Sequence, residues 1–116
     1  MSLDLYLTDT SGVVLWAANI THNLKPMAAA VGLDFLWDPL ANRPNFAHHA
    51  VPRRTAQELI PSLWIGLKSL LSADDSIRLG LGASNGWGTA EDLERFVCAV
   101  LAACFRYPEA RVGVST

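Results

Sequence analysis

Asn19, Thr21, His22 and Asn23 put four hydrogen-bonding side chains within five residues. At the end of a strand, where binding groups gather on loops held by a rigid scaffold, such a cluster could hold a small ligand. His22 could move a proton there near neutral pH. The same residues also suit a helix start, where Asn and Thr side chains accept orphan backbone N–H groups. Capping is the simpler reading. A second group is Ser84-Asn85-Gly86-Trp87-Gly88, a Gly-rich stretch ahead of a helix. Phosphate is one ligand for such a place. The spacing Gly80-x-Gly82-x-x-x-Gly86-x-Gly88 matches neither the dinucleotide fingerprint nor the P-loop, and no Lys follows it. Glu91 and Asp92 would repel an anion at that helix start. Asn85-Gly86 suits a tight turn that aims Trp87 inward.

Other chemistry has less support. His22, Asp38, His48 and His49 are metal-ligand types. Adjacent histidines in an extended segment point to opposite sides, however, and the chain has neither a helical His pair at i, i+4 nor a Cys-x-x-Cys. No metal and no cofactor is expected. Ser84, Cys98 and Cys104 are nucleophiles by type, but the cysteines lie within an apolar helical run, where a thiol is inert. No catalytic residue is assigned. Arg43, Arg53 and Arg54 surround two histidines and read as a solvated loop. A formal net charge of -2 gives no drive toward nucleic acid.

The element that must position these groups is Phe96 to Phe105, which carries no polar side chain except two thiols. Thr89 can cap its helix, and Glu91 and Asp92 favour the positive end of its dipole. Leu93, Phe96, Val97, Val100, Leu101 and Cys104 keep helical spacing. Ala99, Ala102 and Ala103 lie behind them, so the helix calls for burial on more than one side. Before it, Leu3, Leu5 and Leu7 alternate with Asp4, Tyr6 and Thr8 as in a half-buried strand. Asp9-Thr10-Ser11-Gly12 is a turn. Val13 to Ala18 is the return strand, continuous enough in apolar residues to be central or covered on both faces.

Asn19 to Asn23 leaves that strand and enters a helix over 24–31, with Thr21 or Asn23 as the cap, Pro26 near its start and Gly32 at its end. Asp34 to Pro39 is an apolar turn or short helix, and Ala41 to Arg54 a loop. Thr55 and Glu58 form a capping box for a helix over 56–71, with Pro61 inside it. Ser72 to Ser76 opens a short helical turn. The helix over 90–106 stops at Tyr107-Pro108, and Arg111 to Ser115 is a last strand, added to the N-terminal sheet. The expected fold is α+β: a small, mainly antiparallel sheet of the N-terminal hairpin plus the C-terminal strand, packed against about three helices, the last one central.

A chain of 116 residues is expected to form a single globular domain, 1–116. Charged residues make up 17% against about 25% in ordinary globular chains, and hydrophobic residues 51%. That surplus implies that another chain covers part of the surface, most simply a second copy in a homodimer. Trp64 on the flank and Ile65 on the back of the helix over 56–71 are the candidate interface residues. The longest apolar run covers roughly 15 Å of helix, too short for the ~20 residues a membrane span needs. Met1-Ser2-Leu3-Asp4 lacks the basic start of a secretion signal. Cys98 and Cys104, six apart on one helix, cannot pair within it. Buried free thiols fit a cytoplasmic location.

At Asn19-Ile20-Thr21-His22-Asn23, with Met27 after it, and at Asn85-Gly86-Trp87-Gly88, the chain resembles a family of small uncharacterised bacterial and phage-associated proteins. Trp37-Asp38-Pro39, the helix from Glu58 to Leu71, Tyr107-Pro108 and Val112 to Ser115 extend the likeness over most of the chain. The family has no assigned activity. The resemblance implies that both Asn-rich motifs belong to one fold and meet in space, in a joint pocket of Asn19, His22, Asn23, Asn85 and Trp87.

Two readings of function result. One is a non-catalytic interaction domain, homodimeric, using Trp64 and Ile65. The other is a small-molecule-binding protein or small enzyme at the Asn/His/Trp pocket. The first is favoured, because no paired carboxylates, metal spacing or activated nucleophile stands out.

Overall fold

The computed structural model describes residues 2–37, 55–81 and 88–115. Strand β1 (Ser2–Thr8) and strand β2 (Val14–Thr21) form the hairpin. Its turn is held by the Asp9 carboxylate, whose Oδ1 accepts from Ser11 N, Ser11 Oγ and Val13 N. Gly12 takes a φ of +89° there, a conformation costly for any residue with a Cβ. Strand β3 (Arg111–Ser115) pairs antiparallel with β1, giving the order β2-β1-β3. The fold is α+β, and the C-terminal strand joins the N-terminal sheet.

The leucine alternation sets the sheet's inner face. Leu3, Leu5 and Leu7 are fully buried. Across the ladder they face Ile20, Ala18 and Trp16 on β2, and Leu5 and Leu7 face Val114 and Val112 on β3. The outer face carries Asp4, Asn19 and Ser115 in one row and Tyr6, Ala17 and Gly113 in the next. A Cβ on Gly113 would overlap the Tyr6 ring, so Tyr6 lies across that glycine.

The helices cover the inner face. A 3₁₀ turn (His22–Leu24) leads into α1 (Lys25–Ala30), which has Pro26 in its first turn, and Gly32 closes it at φ +79°. A second 3₁₀ turn spans Asp34–Trp37. Helix α2 (Ala56–Leu71) runs on through Pro61. It comes close to the chain at Gly66, where a Cβ would overlap the buried Leu33 side chain. Helix α3 (Asp75–Arg78) is a single turn capped by Asp74. Arg78 donates to the Leu70 carbonyl at 2.8 Å and ion-pairs with Glu91 and Glu94, tying the end of α2 to the first turns of α4. The partner of the buried Glu94 Oε1 is this Arg78 guanidinium.

Helix α4 (Ala90–Arg106) packs against both α2 and β2. It opens with a reciprocal capping box: Asp92 N donates to Thr89 Oγ1 at 3.2 Å, and Thr89 N to Asp92 Oδ2 at 3.0 Å. Arg95, and then the Thr89 amide, hold the Asp92 carboxyl below the usual carboxylate range. A carboxylate held low in the folded chain adds stability that is complete above its unfolded value, 3.8, and is lost as pH falls through the folded one. The melting-temperature gap between the wild type and Asp92→Asn should therefore be constant from pH 7 to pH 5 and close below about pH 4. A gap independent of pH would show that the Asp92 contacts do not form.

Three expectations are corrected. First, β2 is neither central nor covered on both faces. Because β3 joins β1, β2 is a sheet edge among the described residues, and Val14, Leu15, Ala17 and Asn19 are exposed on it. Second, Asn19 to Thr21 does not leave the strand; β2 continues to Thr21. Third, Thr55 makes no side-chain cap bond. The first amides of α2 go instead to the loop after α4, Ala56 N to Ala110 O at 2.8 Å and Gln57 N to Pro108 O at 2.9 Å. Helix α4 is buried on more than one side, as its composition calls for, with one stripe left over. Cys98, Ala99, Ala102 and Phe105 are exposed while Ala103 is buried. The helix lies against the sheet on one side and α2 on another, which leaves one stripe uncovered.

Candidate functional site

A groove of about 510 Å³ lies between the end of β2 and the first half of α4. Ala18, Asn19, Ile20 and Thr21 form its strand side and Asp92, Arg95, Phe96 and Ala99 its helix side, with Leu24 and Gly88 at one end. Sheet pairing puts Ile20 and Ala18 toward the helices and Asn19 toward the outer face. The helical spacing of 92, 95, 96 and 99 puts those four residues on one face of α4. On the other side of the same strand a second hollow, about 400 Å³, is lined by Asp4, Ala17, Ala18 and Asn19.

The polar groups of the Asn19–Asn23 motif are largely engaged in structure. Thr21 caps the 3₁₀ turn, its Oγ1 accepting from Asn23 N at 3.2 Å. His22 Nδ1 accepts from the indole N–H of Trp37 at 2.9 Å. A neutral imidazole that accepts at Nδ1 carries its proton on Nε2. His22 is therefore a strut between the first turn and the buried Trp37, and it does not line the groove. Asn19 does line it.

The second motif reaches the first at one described point. Gly88 has φ +135°, and a Cβ there would lie 3.0 Å from Leu24 Cγ and 3.3 Å from Thr21 Cγ2. The backbone entering α4 thus rests on the turn that follows β2. Asn85 and Trp87 lie outside the described residues, as do Ser84, Asp38, His48, His49, Arg43, Arg53 and Arg54. Of the expected pocket, the structure places Asn19 at the groove, His22 against Trp37 and Asn23 on the Thr21 cap.

The groove's two charged residues satisfy each other: Arg95 Nη2 meets Asp92 Oδ1 at 2.5 Å. Among the described residues no three His, Cys, Asp or Glu side chains stand together to hold a metal ion. Spacing alone did not single out Arg95, Phe96 and Ala99 as groove residues. The available signal was the small, uncharged back of the α4 sequence, which leaves room beside the strand.

The thiols differ, and the expectation that both are buried is corrected for Cys98, which is exposed. Burial pushes the Cys104 thiol up to about 11, so about a thousandth of it is ionised at pH 8. A maleimide should label one thiol per native chain quickly, at Cys98, and Cys104 only in denaturant. Two fast thiols would mean that α4 does not pack as described.

Trp64 and Ile65, the expected interface residues, are 48% and 68% exposed on the outer side of α2. Val13, Val14, Leu71, Leu79 and Phe105 are also more than half exposed. Among the described residues no helix is long and apolar enough to cross a membrane.

Comparison of the chain with protein-family models, with curated proteins and with solved structures finds no match.

Proposed function

We propose that this protein is a non-catalytic interaction domain that works as a homodimer. One observation carries the reading: the described surface keeps large apolar side chains exposed on three elements, β2, α2 and α4. In a chain of 51% hydrophobic residues these are the side chains the fold itself does not use. Burying such surface is the main driving force of association. In the groove the two charged side chains described, Asp92 and Arg95, neutralise each other. A cytoplasmic location belongs with the homodimer reading, since an exposed thiol such as Cys98 is kept reduced there. So does the resemblance to small bacterial and phage-associated proteins: Asn19, Ile20 and Thr21 of its first motif and Gly88 of its second line this groove.

A second reading has its own observation. The groove's volume lies within the range of small-molecule sites, and the β2 edge from Ala18 to Thr21 forms one wall of it. Native mass by light scattering, across a hundredfold concentration range, separates the two. The homodimer reading expects twice the 12.6 kDa chain mass at the upper end. A 12.6 kDa species throughout would overturn it and leave the groove as a ligand site.

A further inference from the structure

We infer that the second copy docks along the free edge of β2, antiparallel, so that two three-stranded sheets become one six-stranded sheet with the α4 helices meeting beside it. The inference rests on the homodimer reading and names its surface.

The two edges of this sheet are treated differently. The β3 edge is short, five residues, and begins with Arg111, to which Thr55 is bridged. That is how soluble proteins ordinarily blunt an edge: short length, a charge, a covering segment. Among the described residues the β2 edge has none of these three features; its one irregularity is the bulge at Leu15, near the strand's start. It runs eight residues, Val14-Leu15-Trp16-Ala17-Ala18-Asn19-Ile20-Thr21, without a charge or a proline. Every other residue of an edge strand turns its N–H and C=O away from the sheet, and those groups template another strand.

A second β2 meets the requirements of that template. Antiparallel pairing of identical strands generates a two-fold axis, the commonest symmetry of soluble dimers. The strand has no charge to meet its own image, so self-pairing brings no like charges together. Inner residues meet inner residues, Trp16, Ala18 and Ile20. Ala17 and Ala18 at mid-strand keep the approach free of bulk. The surface also continues past the strand: Ala99 borders the groove with Ala18 and Ile20, and Ala102 follows on the exposed side of α4. The charged pair Asp92–Arg95 sits at the margin and is neutral within its own chain.

The size of the surface sets the strength. Eight strand residues and the accessible Asp92, Arg95 and Ala99 of α4 face the partner, below the roughly 20–30 a side of a standard interface. The dimer therefore belongs at the weak end, with a Kd on the order of micromolar.

The test is native mass against concentration for four proteins: the wild type, Ala17→Lys, Ala99→Glu, and the double variant Trp64→Glu/Ile65→Lys. All four positions are exposed, so each variant can fold; far-UV circular dichroism checks that it does. Like charges brought face to face should raise the Kd of Ala17→Lys and of Ala99→Glu on the order of a hundredfold. The α2 double variant should dimerise as the wild type does. Because the two single variants lie on different elements, a folding defect in one leaves the other to decide. A wild-type dimer that persists in the folded edge variants would overturn the β2 surface and keep the homodimer. A wild type that stays monomeric throughout would overturn both.

Discussion

Leu5→Ala should destabilise the protein by about 2–5 kcal/mol, the largest loss expected from a single aliphatic truncation. Leu5 is at mid-strand in the central β1, fully buried, between Ala18 on β2 and Val114 on β3. Both of those neighbours are smaller than leucine, so neither can swing in to fill the space. The cost therefore includes the cavity as well as the lost transfer free energy. Asp4→Ala, one residue earlier and on the opposite face, should change stability by no more than about 0.5 kcal/mol. Urea unfolding of both variants measures the contrast. A loss below about 1 kcal/mol for Leu5→Ala would mean that β1 does not present its leucines to the helices.

Trp37→Ala should cost about 3–5 kcal/mol. Trp37 is 4% exposed and ends the 3₁₀ turn that packs beside α1. Trp37→Phe keeps most of the ring and removes the N–H that His22 Nδ1 accepts. It should cost less, about 0.5–1.5 kcal/mol for the hydrogen bond, with a further part for the smaller ring. His22→Ala removes the other partner. If the bond forms, the loss in His22→Ala/Trp37→Phe should fall short of the two single losses combined by about 0.5–1.5 kcal/mol. Strict additivity would mean that His22 is free of Trp37 and open to another role.

Much of the fold is legible in the sequence because it depends on short periods. The 2-residue alternation of Leu3, Leu5 and Leu7 marks the buried face of β1. The helical repeat from Leu93 to Cys104 marks the buried side of α4, and the ends of α2 and α4 fall where the capping and stop signals stand. What local pattern does not carry is strand order. Val13 to Ala18 reads as a covered strand because covered strands are apolar. Here the same composition occurs on an edge, since β3 pairs with β1. Only the contact between residues a hundred positions apart, Leu5 with Val114, decides that.

The same limit applies at the site. The hydroxyl of Thr21 and the imidazole of His22 are ligand-binding groups by type, and cap and strut by position. Thr55 shows the converse. Its capping-box pattern is present, but the carbonyls of Pro108 and Ala110 reach the α2 amides, a tertiary contact that no helix-start signal contains. Arg78 is similar: its partners Leu70, Glu91 and Glu94 meet only because α3 turns the chain between two helices.

Amide hydrogen exchange across β2, followed residue by residue at high and low protein concentration, tests the central claim most directly. On a free edge, alternate amides of Trp16 to Ile20 point to solvent and exchange fast, while the others are protected by β1. In the β2-paired dimer every amide in that stretch is protected at high concentration, and the alternate set loses its protection on dilution. Alternate amides that exchange fast at every concentration would contradict the account.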